Sequence, residues 1–354
     1  GGALQATVHS LNNDAGTLAA GEGLQVDAVA MVSNQAGLIQ AGSTLDLAGN
    51  GLQNSNGRIL GGTLQVDTRG LALDNRSGII ASLAGSTDLR SGALDNTGGL
   101  LQSAAALGIN TAGQALINAN SNGNGIVSGG VLDIRSGSID NSAGTLFSQG
   151  NSNVQASMLN NRDGGSLVSA GNLSLQAQQL GNAGGSISAG SNADITVQGA
   201  LDNAAGLVAA GAKLDLQAGS IDNRNTQGAA NGPALGLQAG NLQVSTESLD
   251  NRSGQVLADD LLLQINQTLD NRGGQVSAAA TSEVRADSIN NQAGILQAGN
   301  HQIVRARALQ GDGKLLSQGD MTLELGQSYS NNSELAANGK LTLSIQGNLE
   351  NTGK

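Results

Sequence analysis

Apolar and polar residues alternate in short runs along the whole chain. In the stretch from Leu201 to Ser220, Val208 and Ala210 stand two positions apart, and Leu214 and Leu216 repeat that spacing a few residues later. Apolar residues at every second position indicate β-strands with one buried face. The pattern therefore predicts two strands in this stretch.

Glycine marks the ends of these predicted strands. Gly206 precedes the first strand, and Gly211 lies between the two. Because glycine accepts the positive φ of a tight bend at no steric cost, we expect both residues to form corners. The two strands and the short segment Leu201-Asp202-Asn203 then make the three sides of one coil. Such a coil is too small to bury its own apolar face, so coils must stack.

A short segment that ends in asparagine recurs along the chain. Its last residue steps by 20 or 21 positions, apart from steps of 22, 23 and 28, and only Gly311 interrupts the series. A fixed period of this length is the signature of a repeat protein. The recurring residues are Asn13, Asn34, Asn54, Asn75, Asn96, Asn118, Asn141, Asn161, Asn182, Asn203, Asn223, Asn251, Asn271, Asn291, Asn331 and Asn351.

The repeat predicts an all-β fold, a parallel β-helix (solenoid) of about 17 coils with a 20–21-residue period. Its rival is the leucine-rich-repeat horseshoe, which has a similar period and also carries an asparagine. A horseshoe needs leucine at more positions and a helical segment in each unit, whereas these repeats have glycine or alanine there. At a strand spacing of about 4.8 Å, the predicted stack is a rod roughly 77 Å tall.

Two insertions and a divergent end interrupt the regular repeat. We predict regular repeats over residues 1–308, with loops leaving the stack near 120–125 and 226–233. Residues 309–354 keep the spacing but lose the glycine after the asparagine, with Lys314 and Glu334 in its place. We expect this last region to be a transition to another repeat type.

Composition limits both the core and the partners. The 354 residues include 54 Gly, one Pro, no Cys and no Trp, with one Phe and one Tyr. The core must then be aliphatic, and collagen is excluded because glycine follows no three-residue period. A net charge of −11 gives no electrostatic footprint for nucleic acid. No apolar run approaches the ~20 residues that a membrane-spanning helix needs, so we expect no membrane span.

Several units resemble the repeats of filamentous haemagglutinin. They are Leu-Asp-Asn-Arg-Ser-Gly-Gln-Val-Leu-Ala at 249–258 and the related stretches Leu73–Ala81 and Leu269–Ala278. The resemblance extends over essentially the whole chain. It implies a right-handed β-helical filament that is secreted to the outer face of the bacterial outer membrane. It also implies an outer-membrane two-partner transporter as the partner during export. Members of this family include adhesins and the stick proteins of contact-dependent growth inhibition.

The asparagine series is predicted to have a structural role. We expect the stacked side chains to bond to amides of neighbouring coils, as in the asparagine ladders of stacked sheets. Because asparagine also tolerates the left-handed conformation, we expect the ladder residues to make the bend at the corner.

The tripeptide Asp-Asn-Arg recurs at 74–76, 222–224, 250–252 and 270–272. Side chains two positions apart on an extended segment face the same way, so the aspartate and the arginine can pair. Asp250 and Asp270 would lie one strand spacing apart, which allows a hydrolytic carboxylate pair to be considered. Each has an arginine as a simpler partner, so we predict an ion-pair network.

The two histidines are too far apart to act together. His9 and His301 are about fourteen coils apart, roughly 70 Å at the usual strand spacing. They cannot share a metal ion or a proton relay, and no Ser-His-Asp or Cys-His arrangement is supported. We predict no catalytic, cofactor-binding or metal-binding residue.

The second insertion is the candidate interaction loop, with Thr226, Gln227, Asn231 and Pro233. Loops on a rigid scaffold are where binding residues commonly lie. Loops also tolerate insertions at little cost, so a neutral insertion is the simpler interpretation.

Three hypotheses for the function follow. The first is a structural shaft of a surface filament that projects adhesive or toxin-delivering elements away from the cell. The second is an adhesin segment that binds a receptor on a host or neighbouring cell through its loops or flank. The third, a carbohydrate-active β-helix enzyme, needs clustered acids and aromatic platforms that this sequence lacks, and it rests on fold analogy alone.

Overall fold

The computed structural model describes residues 1–228, 232 and 234–354. Every regular element within these residues is a β-strand, and parallel strands stack as a β-solenoid of about 17 turns with a spacing of about 20 residues. The predicted all-β solenoid is confirmed, and the horseshoe with its helical segments is wrong. The chain divides into two compact units, Gly1–Ala177 and Gln178–Lys354.

Each coil has three sides. Side one is a strand such as Ile79–Ser82, side two a strand such as Thr87–Arg90, and side three a short strand such as Leu94–Asp95. The asparagine after side three, here Asn96, leads into side one of the next coil. The sides form because period-two apolar residues such as Ile80 turn inward and their neighbours turn outward.

In the unit Gly1–Ala177 most sides are separate strands. Side one comprises Thr17–Ala20, Leu38–Ala41, Arg58–Gly61, Ile79–Ser82, Leu100–Ser103, Gly125–Ser128, Thr145–Ser148 and Ser166–Ser169. Side two comprises Leu4–Val8, Leu24–Ala28, Thr44–Ala48, Thr63–Asp67, Thr87–Arg90, Leu107–Asn110 and Leu132–Arg135. Side three comprises Leu11–Asn12, Val32–Ser33, Leu52–Gln53, Leu73–Asp74, Leu94–Asp95, Ala115–Ile117 and Ser138–Asp140. Sides two and three are continuous in Ser152–Asn160 and in Leu173–Gly181.

In the unit Gln178–Lys354 strands more often continue around the corners. Leu207–Asp222, Gly236–Asp250 and Gln255–Asp270 each cover a whole coil. The side-one strands Ser186–Ala189, Gln275–Ala278 and Ile295–Ala298 precede Ala193–Asp202, Thr281–Asn290 and His301–Gln310, which cover sides two and three. The last strands are Lys314–Ser317, Asp320–Leu325, Tyr329–Asn331, Leu335–Ala337, Leu341–Ile345 and Leu349–Asn351.

The core of each unit consists of aliphatic columns. In side one Ile59, Ile80 and Leu101 are in register, and none is more than 1% exposed. Leu73 and Leu94 form an equivalent column in side three. Truncating a buried leucine or isoleucine to alanine costs about 2–5 kcal/mol, so these columns supply most of the favourable packing. Because this aliphatic core is thin, the hydrogen bonding of polar groups at the corners also matters for the stability of the stack.

Candidate functional site

The asparagine corner joins side three of one coil to side one of the next. Nδ2 of Asn203 donates to Oδ1 of Asn223 at 2.8 Å, and Oδ1 of Asn203 accepts from Nδ2 of Asn182 at 2.7 Å. Nδ2 of Asn203 is also 3.3 Å from the carbonyl oxygen of Gly206, in the same turn. Asn203 is fully buried. Its amide is therefore satisfied by the coils on both sides.

The same contact repeats along each unit. Side-chain hydrogen bonds of 2.7–2.8 Å link the asparagines from Asn13 to Asn161 and from Asn182 to Asn291. Gly311 interrupts this asparagine column, and Asn291 Nδ2 donates there to the carbonyl oxygen of Lys314 at 3.2 Å. A buried polar group left without a partner costs about 1–3 kcal/mol. We predict that the column stabilises the stack by keeping its amides paired.

The left-handed bend of the corner is made two positions after the ladder residue. Ala205 has a φ of 52°, Ser253 a φ of 50° and Ala293 a φ of 53°. The ladder asparagines do not occur among the left-handed residues of the described chain. The expectation that they make the bend is therefore wrong, and their position instead directs the amide inward.

The glycine one residue later is needed for a different reason. A Cβ on Gly206 would lie 2.3 Å from the carbonyl oxygen of Asn182 and 2.6 Å from Oδ1 of Asn203. Likewise, a Cβ on Gly211 would lie 2.2 Å from the carbonyl oxygen of Gly190. Neither Gly206 nor Gly211 has a positive φ. The expected role of glycine is corrected here, because these residues allow close approach of the coils.

The outer surface of the asparagine corner carries aspartate and arginine. In the first unit Arg76 Nη2 is 2.6 Å from Asp74 Oδ2, and Ser55 Oγ donates to the same oxygen at 2.8 Å. The hydrogen bond from the Arg76 side chain lowers the pKa of Asp74, and the opposing effect of burial is smaller. The pKa falls from 3.8 to about 2.

In the second unit these ion pairs extend from coil to coil. Arg224 binds Asp222 at 2.6 Å and lies 3.6 Å from Asp250, while Arg252 binds Asp250 at 2.6 Å and lies 3.7 Å from Asp270. Burial acts to raise the pKa of Asp222 and Asp270, but hydrogen bonds and nearby arginine charges outweigh it, so both pKa values are lowered. Asp250 and Asp270 are thus occupied by arginines, which does not suit a hydrolytic pair.

Thr226 anchors the longer insertion at its base. It is fully buried at the position where most coils have the corner glycine, and its Oγ1 accepts a hydrogen bond from the backbone N–H of Gln255 at 2.9 Å. In an ordinary coil that N–H binds a backbone carbonyl, as Gln275 N does to Gly254 O at 2.8 Å. The hydroxyl of Thr226 therefore takes the place of the backbone carbonyl that binds this N–H in an ordinary coil.

Gln227 provides a second anchor for the predicted interaction loop. Its Nε2 donates to the carbonyl oxygen of Gly273 at 2.9 Å. Asn231 and Pro233, the other two residues predicted for this loop, lie outside the described residues. The structural role of Thr226 was not anticipated. Thr226 lies three residues after Asn223, at a position where most repeats have glycine. This departure from the repeat is the sequence signal that indicates a special role for Thr226.

A second buried polar column lies at the corner between side one and side two, and the sequence reasoning missed it. In the first unit Ser148 Oγ lies 2.7 Å from Ser152 Oγ and donates to the carbonyl oxygen of Gly150 at 2.9 Å. Thr87 Oγ1 similarly donates to Ser82 Oγ at 2.9 Å. The serines of this column are Ser82, Ser103, Ser128, Ser148 and Ser169. Their signal in the sequence is a polar residue that recurs at an inward position of the repeat.

In the second unit alanine takes the place of these serines at Ala189, Ala210, Ala239, Ala258, Ala278 and Ala298, and serine returns at Ser317. Polar residues nevertheless occur at the adjacent inward position of side two. Ser282 and Gln302 pair in register and are fully buried, and neither Ser282 Oγ nor Gln302 Oε1 has a hydrogen-bond partner. We call this region, in both units, the serine–alanine corner.

The asparagine corner changes at Gly311, where it becomes one residue shorter. Register pairs Ile295 with Lys314, so Gly313 lies opposite Gly294. A Cβ on Gly313 would lie 1.8 Å from the carbonyl oxygen of Asn291. The prediction that Lys314 stands in the glycine position is therefore wrong. The corner after Gly311 is one residue shorter than the others, so the glycine position falls on Gly313.

The next coil has the same shortened corner. Leu315 pairs with Leu335, which places Ser333, and not Glu334 as predicted, at the glycine position. Glu334 instead forms an ion pair of 2.9 Å with Lys314 on the outer surface.

The remaining candidates for chemistry do not come together. His9 belongs to the first unit and His301 to the second, where His301 Nε2 lies 3.1 Å from Thr322 Oγ1. Over the described ranges, no group of three or more His, Cys, Asp or Glu residues could hold a metal ion. In that same part of the chain, no helix has the length and apolarity to cross a membrane.

These features define a class of protein, a repeat solenoid in which parallel β-coils enclose an aliphatic core and columns of paired polar side chains. The family model for the haemagglutinin repeat matches residues 1–70, 59–120, 111–151, 147–205, 202–266, 239–308 and 299–353. The chain therefore belongs to the haemagglutinin-repeat family, and the resemblance to filamentous haemagglutinin is confirmed. This family is structural or adhesive and is typical of secreted and surface adhesins. No curated protein and no solved structure matches the chain.

Proposed function

We propose that this chain is a shaft segment of a bacterial surface filament, without enzymatic activity, that holds adhesive or toxin-delivering elements away from the cell. The observation that carries the proposal is the repeated asparagine corner. From Asn34 to Asn141, and again from Asn203 to Asn271, each amide bonds to the coil before it and to the coil after it. Contacts that repeat identically suit a spacer, because each repeat depends only on its neighbours.

The proposal includes a location and a route. The filament stands on the outer face of the outer membrane after export by a two-partner transporter. Membership of a family of secreted and surface adhesins supports this location. A chain without cysteine also fits export in an unfolded state, since no disulfide can lock it during passage.

A shaft and an adhesin segment predict different results when coils are removed. Deleting Asn251–Asp270 from the full-length parent joins Asp250 to Asn271 and shortens the stack by one strand spacing, about 4.8 Å. For a shaft, attachment or delivery falls gradually as further coils are removed in register. An abrupt loss at one coil, with secretion and folding intact, would contradict the shaft and support direct binding.

The insertion allows a second test with a matched control. Residues 228–234 are replaced by a Gly/Ser segment of equal length, while the anchors Thr226 and Gln227 stay in place. We expect the isolated chain to show no binding to target cells before or after this replacement. Binding that depends on the native loop would favour the adhesin hypothesis, in which the loop contacts a receptor.

A further inference from the structure

The first insertion, near 120–125, contains two consecutive Asn–Gly pairs. They are Asn122-Gly123 and Asn124-Gly125. An asparagine that precedes a glycine can cyclise, because the backbone nitrogen of the glycine is within reach of Cγ of the asparagine side chain. Glycine favours this attack, since it has no side chain to shield the nitrogen. In a folded chain the reaction therefore depends on whether that nitrogen is free.

Asn122 and Gly123 form the tip of a tight turn. The backbone N–H of Asn124 donates to the carbonyl oxygen of Ser121 at 2.8 Å, which closes the turn. Asn122 has a φ of 47° and Gly123 a φ of 88°, as in the type I′ turns that Asn-Gly favours. The peptide group between these two central residues takes no part in the closing bond. The turn therefore leaves the N–H of Gly123 unused.

The reacting groups at this tip are open to solvent. The N–H of Gly123 has no hydrogen-bond partner, and the side-chain amide of Asn122 has none either. Both residues are exposed, and a Cβ on Gly123 would meet no heavy atom within 4 Å. No contact therefore keeps the nitrogen of Gly123 and Cγ of Asn122 from approaching each other.

In the other Asn–Gly pairs of the described residues, the glycine N–H is held. Gly125 N donates to the carbonyl oxygen of Gly99 at 3.0 Å. The glycines of the remaining pairs donate to backbone carbonyl oxygens at 2.8–3.3 Å, and they are Gly51, Gly57 and Gly339. Asn231, which also precedes a glycine, lies outside the described residues. Within the described part of the chain, only Asn122-Gly123 combines an Asn–Gly pair with a free nitrogen.

We propose that Asn122 is a site of spontaneous covalent modification. The nitrogen of Gly123 attacks Cγ of Asn122, the Cγ–Nδ2 bond breaks, and the proton of the attacking nitrogen passes through solvent to Nδ2, which leaves as ammonia. The product is a five-membered succinimide ring. Water then opens one of the two carbonyl–nitrogen bonds of this ring and gives either aspartate or isoaspartate. Water is the co-reactant, and no group is oxidised or reduced.

The modification changes the surface charge and leaves the stack intact. Each converted chain carries one negative charge more than the parent, at an exposed position. Both flanks of the turn are bonded to neighbouring coils, since Ser121 N donates to the carbonyl oxygen of Ala143 at 3.2 Å and Gly125 N to that of Gly99. The methylene group that isoaspartate adds to the main chain is therefore confined to the turn. The inference is independent of the proposed shaft function.

One tryptic peptide contains both the site and its control. Arg90 and Arg135 bound a stretch without lysine or arginine, so residues 91–135 are released together with Asn122 and Asn124. The folded chain is incubated in mildly alkaline buffer, and fragment masses locate each change from amide to carboxylate. We expect Asn122 to be modified about tenfold faster than Asn124, because a hydrogen bond of Gly125 N must break before that nitrogen can react. Equal rates, or a faster change at Asn124, would overturn the proposal.

Denaturation separates the effect of the structure from that of the sequence. In guanidinium chloride both pairs lose their hydrogen bonds, so the two rates should become similar. A preference for Asn122 that persists in denaturant would show that the free N–H of Gly123 is not its cause. Asn122 that reacts in the denatured chain but stays unmodified in the folded one would equally contradict the proposal.

A variant tests the attacking nitrogen itself. Gly123→Ala should slow the change at Asn122, because a methyl group then shields the nitrogen. Gly113→Ala is the matched control, since Gly113 also has a positive φ and open space around it, and this variant should react like the parent. Circular dichroism checks that both variants are folded. An unchanged rate in Gly123→Ala would contradict attack by this nitrogen.

Discussion

The asparagine corner and the serine–alanine corner differ in how completely their buried polar side chains are hydrogen-bonded. Both bury polar side chains inside a thin aliphatic core. At the asparagine corner, Asn203 finds a partner in the coil on each side. At the serine–alanine corner, Ser152 is partnered because Ser148 is present, whereas Ser282 lies beside Ala278 and its hydroxyl has no partner. The amides of the asparagine corner are satisfied because neighbouring coils carry the same amide, whereas Ser282 finds no hydrogen-bond partner even in Gln302, with which it is in register.

The largest effect should come from breaking the asparagine column. Asn203→Leu removes one of the two acceptors of Asn182 Nδ2 and leaves Asn223 Oδ1 without its donor. It should lower the free energy of unfolding by about 3 kcal/mol, since a buried polar group left unpaired costs about 1–3 kcal/mol. Urea unfolding followed by circular dichroism measures it. Ala200→Leu, at an exposed position of the same coil, is the control. If both variants unfold like the parent, the column does not stabilise the stack.

A smaller loss should follow at the serine–alanine corner of the first unit. Ser148→Ala removes the partner of Ser152 and should cost about 1–2 kcal/mol in the same unfolding experiment. The double variant Ser148→Ala/Ser152→Ala should recover part of this loss, because both partners are then apolar. Ser166→Ala, an outward serine on the same side, serves as the control. A double variant less stable than Ser148→Ala alone would count against this pairing.

The second unit offers the reverse experiment. Ala278→Ser supplies a hydroxyl beside Ser282 and should raise the free energy of unfolding by up to about 1 kcal/mol. Ala258→Ser is the matched control, because the adjacent inward residue there is Leu261, which has no polar group to satisfy. A gain in the control equal to that in Ala278→Ser would show that pairing with Ser282 is not the cause.

The smallest effect should come from the outer surface of the asparagine corner. The pKa of Asp74 is lowered from 3.8 to about 2, so its ionised form stabilises the fold. This stability is fully present above about pH 4 and is lost as the pH falls through about 2. Solvent screens the pair, so the loss should be smaller than in the variants above. Asp74→Asn should unfold with a weaker dependence on pH between 4 and 2. An unchanged dependence would refute the assigned role of Asp74.

The period-two alternation and the asparagine spacing were sufficient to predict the solenoid. In Leu207–Asp222, for example, the expected inward residues Val208, Leu214 and Leu216 are all buried. These features could be predicted because burial of one strand face is determined locally, by the alternation itself. The three-sided coil follows from the same pattern.

The corners could not be predicted in the same way, because their contacts join residues of different coils. The need for Gly206 depends on the carbonyl oxygen of Asn182, which is 24 positions earlier in the chain. The role of Thr226 depends on the amide of Gln255. Phe147 follows Leu146, and two adjacent apolar residues do not reveal which one faces inward. The register between neighbouring coils determines the roles of these residues. The sequence of a single repeat does not specify that register.

The central claim is that each coil is an equivalent module bounded by its asparagine corners. Deleting Asn251–Asp270 recreates Asp-Asn-Arg at the junction of Asp250 with Asn271 and brings Gln275 to the hydroxyl of Thr226. Deleting only Asn251–Asp260 removes fewer residues but destroys the register. Unfolding in urea, followed by circular dichroism, compares the two. The account predicts a cooperative transition with a midpoint near that of the parent for the whole-coil deletion, and its loss for the partial deletion. A whole-coil deletion that fails to fold, or two deletions that behave alike, would contradict it.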